Sequence, residues 1–201
     1  MILQVVLLLA CLSGATASNG VCCPPSRFNA FQYVTIVNST TRTRGLYYMV
    51  YDGPNERYLL TGDRFKNLYG TTKVIYDYKK GIAYNIDVQQ RTCTTFPLQG
   101  KFEDQESVCV PRDAVYTSRS AYGFDQGALP SWSYEYNRTH PDGRHQNVVT
   151  TVTKLDCIPI LTITISTDAA GGNSLHILGY NDFFPGIRDI SMLEIPSYCP
   201  A

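Results

Sequence analysis

The sequence predicts a mainly β, antiparallel single domain with few short helices, folded as a sandwich or a curved half-barrel. Three observations carry this. Apolar and polar residues alternate with a period of two along most of the chain, and long stretches of 3.6-residue period are missing. Fifteen tyrosines stand against one tryptophan, many of them at alternating positions. Six cysteines are spread from Cys22 to Cys199 with no linker or repeat between them.

The chain opens on an apolar run, Val5 to Ala10, followed by small residues that end in Ala15-Thr16-Ala17. This is the pattern of a signal peptide spanning 1–17 and cleaved after Ala17. The run is shorter than the roughly 20 apolar residues that a bilayer requires, and no later segment is apolar enough to span one. Residues 18–201 then form one exported domain, of a size that suits a real core.

Leu46 to Tyr51 reads as a strand, Asp52-Gly53-Pro54-Asn55 as a turn, and Glu56 to Thr61 as the returning strand. The cleanest hairpin follows: Lys73 to Tyr78, a turn at Lys79-Lys80-Gly81, then a strand from Ile82 to Val88. Tyr116 to Gly123 and the alternating Trp132, Tyr134 and Tyr136 are two more strands. The turn chemistry of His140-Pro141-Asp142-Gly143 leads into Val148 to Leu155. Ile158 to Ser166, Leu175 to Tyr180 and Met192 to Ile195 complete the strands. Asp63 to Tyr69 and Pro185 to Ser191 are the candidate helices.

Cys11 leaves with the signal segment, so the mature chain holds Cys22, Cys23, Cys93, Cys109, Cys157 and Cys199. An even count in an exported chain predicts three disulfides, out of fifteen connectivities. A zinc site would need close C-x-x-C pairs, and the spacings after Cys23 are tens of residues. A bridge between adjacent Cys22 and Cys23 strains the peptide between them, so each is expected to staple a different partner. Asn38-Ser39-Thr40 and Asn137-Arg138-Thr139 are glycosylation sequons in polar surroundings. Seventeen basic residues cancel seventeen acidic ones, and no basic run exists to hold nucleic acid.

Catalytic patterns are missing: there is no G-x-S-x-G elbow, no H-E-x-x-H and no phosphate-binding glycine loop. The expectation is a protein that is not an enzyme. His140 and His145 share a polar turn and could bind a metal, but surface histidines in a turn are commoner than ligands; His176 reads as the solvent side of a strand whose Leu175 and Ile177 lie on the other face. Asn181, Asp182 and Asp189 are oxygen donors that could join in a calcium site, although no EF-hand spacing accompanies them.

Several segments, taken in order, resemble the ependymin and ependymin-related family over nearly the whole mature chain. They are Cys23-Pro24-Pro25-Ser26-Arg27-Phe28, Tyr51-Asp52-Gly53-Pro54-Asn55-Glu56-Arg57 and Gly81 to Asp87 with Cys93. Asp156-Cys157-Ile158-Pro159 follows, and then Phe183-Phe184, Gly186 to Asp189 and Pro196 to Cys199. The resemblance implies two stacked antiparallel sheets, related to bacterial lipoprotein carriers, enclosing a deep hydrophobic pocket. It implies pairing of Cys93 with Cys199 and Cys23 with Cys157, leaving Cys22 with Cys109. It also implies a secreted glycoprotein that binds lipid or a fatty acyl chain, with a calcium site and a homodimer in some relatives. The alternative is a calcium-dependent structural or cell–matrix adhesion glycoprotein of the extracellular matrix, mineralised matrix included. The residues expected to line the pocket are Tyr76, Tyr84, Ile86, Trp132, Tyr134 and Ile163.

Overall fold

The computed structural model describes residues 20–62, 72–103, 108–123, 127–140 and 142–200. The signal segment 1–17 and the helix expected over Asp63 to Tyr69 lie outside the described residues. Thirteen strands follow in chain order: β1 (Gly20–Cys22), β2 (Arg27–Asn38), β3 (Arg42–Asp52), β4 (Arg57–Thr61), β5 (Thr72–Asp77), β6 (Ile82–Asp87) and β7 (Thr92–Pro97). Then come β8 (Val110–Pro111), β9 (Val115–Tyr122), β10 (Leu129–Thr139), β11 (His145–Thr153), β12 (Pro159–Thr167) and β13 (Asn173–Pro185).

Eleven of these strands form one antiparallel sheet, in the order β7-β6-β5-β4-β3-β2-β13-β12-β11-β10-β9, and β1 pairs with β8 as a separate ribbon. The two expected stacked sheets are therefore one large open sheet. From β2 at its centre the chain steps outward to β7 at one edge. It crosses to β9 at the other edge and steps back inward to β13, which pairs with β2. One cavity is touched by side chains of seven neighbouring strands, from β4 to β10. In a flat sheet those two strands would stand roughly 29 Å apart, six spacings of about 4.8 Å. The sheet must therefore curve around the cavity, giving one inner and one outer face.

The inner face is closed at both flanks. On one side the crossing segment lays Phe102 and Val108 against Phe28, Met49, Tyr51 and Tyr58. Tyr58 stacks on Tyr76 at 4.2 Å between ring centroids. On the other side the β1–β8 ribbon packs Cys22 and Val110 on Tyr134, Val152 and Trp132.

The outer face is covered only in part. Over β3 to β6, a strap of residues 187–199 packs Leu193 on Val50, Leu59, Ile75, Tyr84 and Ile86. Arg57 Nη2 donates to the carbonyl of Leu193, and Lys73 Nζ donates to the carbonyls of Met192 and Glu194, both at 3.2 Å. The helix expected over Pro185 to Ser191 and the strand over Met192 to Ile195 are corrected here. Strand β13 runs through Pro185, Gly186 turns the chain at φ +89°, and one 3₁₀ turn forms at Ile190–Leu193, capped by Asp189. Over β11 to β13 the outer face carries Val149, Ile163, Ile165, Leu175 and Ile177, half-buried except for Ile165, which is 52% exposed.

The disulfides join Cys22 to Cys157, Cys23 to Cys109 and Cys93 to Cys199. The expected Cys23–Cys157 and Cys22–Cys109 pairs are thus exchanged, because of the ribbon register. Cys22 lies opposite Val110, so in an antiparallel pair the next residue, Cys23, falls opposite Cys109, with Cα atoms 4.3 Å apart. Cys22 turns instead under the ribbon to meet Cys157. Cys93–Cys199 ties the strap to β7.

Candidate functional site

Between the two closed flanks, the inner face holds a trough of about 340 Å³. Register decides its lining. Strand β11 contributes Gln146, Val148 and Thr150, and β12 sets Thr164 and Thr162 opposite the last two. Strand β13 continues the rows with His176 and Leu178; β2 sets Val34 opposite Leu178 and, one inward pair further along, Gln32 opposite Tyr180. Met49, Tyr58, Leu60 and Val108 close the far side.

The trough is sorted along the strand direction. Arg138, His140, Arg144 and Gln146 cluster where the β10–β11 hairpin turns, with His176 and Thr164 beside them. Val34, Leu178, Met49, Leu60 and Val108 line much of the remainder, with the uncharged polar groups of Gln32, Thr150, Thr162 and Tyr180 among them. Polar groups at the hairpin end are partly self-satisfied: His140 Nε2 donates to Gln146 Oε1 at 2.8 Å, and Gln146 Nε2 donates to Ser166 Oγ at 3.1 Å. Arg138 packs its guanidinium 5.1 Å from the centroid of the Tyr136 ring and donates to the Tyr136 hydroxyl at 3.4 Å. Burial pushes that phenol above its usual range, with Arg138 pulling the other way. Burial and the neighbouring Arg144 hold His176 below the usual histidine range.

Two histidine expectations are corrected. His140 is only 7% exposed and belongs to the trough wall, and His176 faces the trough, with Leu175 and Ile177 on the outer side. His145 is exposed, its Nδ1 3.1 Å from Thr139 Oγ1.

The expected wall residues divide three ways. Tyr76 is on the trough face but stacks behind Tyr58 rather than lining the cavity. Trp132 and Tyr134 are also on that face, packed under the ribbon and against Tyr116. Tyr84 and Ile86 lie on the outer face beneath the strap, and Ile163 on the outer face between Val149 and Ile177, so these three are not wall residues. Asp77 pairs with Ile82 around the hairpin, which sets Tyr76 opposite Ala83 and turns Tyr84 to the other side.

Of the calcium candidates, Asp189 Oδ1 accepts from the backbone N–H and hydroxyl of Ser191. Asn181 lies where β13 and β2 shift register, and Asp182 takes a left-handed φ of 49° there. No group of three or more His, Cys, Asp or Glu side chains converges among the described residues. A larger recess of about 540 Å³ between the strap and the ends of β3 to β5 is lined by Asp52, Arg57 and Asp77. These three charges are structural: Arg27 Nε donates to Asp52 at 2.9 Å, Asn55 donates to the other oxygen at 2.7 Å, and Arg57 Nε stands 3.3 Å from Asp77. Asn38 and Asn137 are both exposed on strands. Asn38 Oδ1 accepts from the N–H and hydroxyl groups of Thr40 and Thr41.

Comparison with known proteins adds the following. The family model described as Ependymin matches residues 66–199. Ependymin-related protein 2 of Haliotis asinina is 90% identical over 201 residues, covering all of both chains. Ependymin-related protein 1 of the same organism is 60% identical over 202 residues, again covering both in full. The crystal structure of an uncharacterized conserved protein from Thermus thermophilus superposes with a TM-score of 0.50 at 11% identity, covering 86% of this chain and 87% of that one. At that identity the match speaks for the fold alone.

Proposed function

The chain belongs to the ependymin family, and we propose that it binds a hydrophobic ligand in the trough on the inner face of its sheet. The observation that carries this reading is the cavity itself. About 340 Å³ is shared by seven strands between two packed flanks, within the range of small-molecule sites. A fold that keeps such a space gives up dispersion contacts that a solid core would make. Burial of an acyl or similar chain against Val34, Met49, Leu60, Val108 and Leu178 restores them, at ~0.8 kcal/mol for each CH₂ removed from water.

Covalent chemistry is not part of this reading. Ser174 Oγ stands 3.1 Å from His176 Nε2, but the charge that acts on His176 is that of Arg144, which disfavours the imidazolium. A hydrolase triad needs the opposite, a carboxylate that stabilises it. We further read the protein as exported, supported by six cysteines paired in three long-range bridges. Among the described residues no helix is long and apolar enough to cross a membrane.

The test is a titration of delipidated protein with N-phenyl-1-naphthylamine, a neutral apolar dye that fluoresces when removed from water. Saturable, blue-shifted fluorescence near one dye per chain is expected. A folded protein that gives no saturable signal would overturn the proposal.

A further inference from the structure

The described lining of the trough carries charge of one sign. Arg138 and Arg144 are the only permanently charged side chains among its described lining residues, and no Asp or Glu is present there. The other polar groups at the hairpin end have partners: His140 with Gln146, Gln146 with Ser166, and His176 with Ser174. Arg144 differs from them. Its Nε is buried without a hydrogen-bond partner. Its carboxylate neighbour, Asp142, approaches Nη2 only to 3.7 Å and is 59% exposed at the side chain. A buried guanidinium N–H left unpaired is costly, and Arg144, whose side chain is still 33% exposed beside the cavity, has further N–H donors within reach of an acceptor from outside.

Resting on the trough being a ligand site, we propose that its ligand is an amphiphile with an anionic headgroup, a carboxylate or a phosphate ester. Arg144, assisted by Arg138, receives the headgroup at the β10–β11 hairpin, and the apolar chain runs toward Leu178, Val34 and Met49. The lengthwise sorting of the lining fits a molecule with one charged end, and guanidinium groups bind planar or tetrahedral oxyanions through paired N–H donors. The threonine hydroxyls of β12 and His176 lie between the two ends, where a headgroup and the first carbons of a chain would pass. A wholly apolar ligand would leave Arg144 Nε without a partner and bury the guanidinium more deeply than before.

The experiment compares cis-parinaric acid with the corresponding alcohol at pH 8, on wild-type protein, Arg144→Gln, Arg144→Lys and Arg138→Gln. The wild type is expected to prefer the acid by about tenfold or more. The preference should fall to near unity in R144Q, survive only in part in R144K, which keeps the charge but not the paired donors, and weaken in R138Q. Inorganic phosphate at millimolar concentration is the competitor that separates an amphiphile from a free anion, and it should displace little of the bound acid. Equal affinity of wild-type protein for acid and alcohol would overturn the inference while leaving the hydrophobic site intact. So would a preference that survives in R144Q, or complete displacement by phosphate. Failure of both probes to bind wild type would overturn the ligand site itself. Should R144Q not fold, the wild-type preference and R138Q still decide the matter.

Discussion

Leu193→Ala separates the two faces of the sheet. Leu193 is 2% exposed and sits on Val50, Leu59, Ile75 and Ile86, each fully buried. Truncation removes three carbons, worth about 2.4 kcal/mol at ~0.8 kcal/mol each. The floor beneath belongs to paired strands and cannot rise, whereas the strap can settle by the freedom its single 3₁₀ turn allows. A cavity contribution of about 1 kcal/mol is therefore reasonable, for a total near 3 kcal/mol, inside the usual ~2–5 kcal/mol for Leu→Ala in cores. Urea unfolding monitored by circular dichroism reads this as a lower midpoint at unchanged slope. The trough lies on the opposite face, so naphthylamine affinity in the folded variant should stay within about twofold of wild type. A loss under about 1 kcal/mol would mean that the strap does not pack as described. A tenfold loss of dye affinity at full folding would mean that the faces are not independent.

Other outcomes follow from the same contacts. Arg57→Gln leaves Asp77, only 4% exposed, with the Lys80 N–H still donating to it and removes a donor to the strap. Unfolding should show a loss of about 2–3 kcal/mol, discounted from a fully buried pair because Arg57 is partly exposed; a loss below 0.5 kcal/mol would refute the pairing. His176, facing Arg144, Arg138 and His140 with no carboxylate among the described lining residues, is held below the usual histidine range by burial and by Arg144. The unfolded chain therefore takes up its proton first as pH falls, and stability should decline from about pH 6.5 downward toward the lowered folded value. An NMR titration that placed His176 at or above 6.5 would contradict this. Glycosidase treatment of protein from a secretory host should shift gel mobility by two glycans, one lost in Asn38→Gln and the other in Asn137→Gln. Unchanged mobility of the treated wild type would refute both sites.

Much of the sheet is legible as alternation, and the parts that are not have identifiable physical causes. Strand β6 stands out in the sequence because Ile82, Tyr84 and Ile86 alternate with Ala83, Asn85 and Asp87, and the first set forms the more buried side. Strand β2 does not, although it is central. Phe28, Ala30 and Val34 point to one face and Phe31, Tyr33 and Val37 to the other, so a strand covered on both sides shows no period of two. Alternation also cannot say how two strands face each other. That depends on the loop between them, and one residue of register moves Tyr84 from trough to outer face. The exchange of Cys22 and Cys23 has the same origin. His176 shows a different limit. The usual rule puts aliphatic residues inward, but a binding trough lines part of its inner face with hydroxyls, imidazoles and guanidinium groups and leaves Leu175 and Ile177 outside. Arg138 and Arg144 share the β10–β11 hairpin, but Leu178 and Val34 come from strands far from it in sequence, and no local motif joins the four.

The most direct test of the trough is photocrosslinking with a diazirine-bearing fatty acid, read by peptide mass spectrometry. The account predicts label on the inner face, at Val34, Met49, Leu60, Val148 or Leu178, and protection of these positions by excess unlabelled fatty acid. Saturable label on the outer face instead, at Val149, Ile163, Ile165 or Ile177, would contradict it.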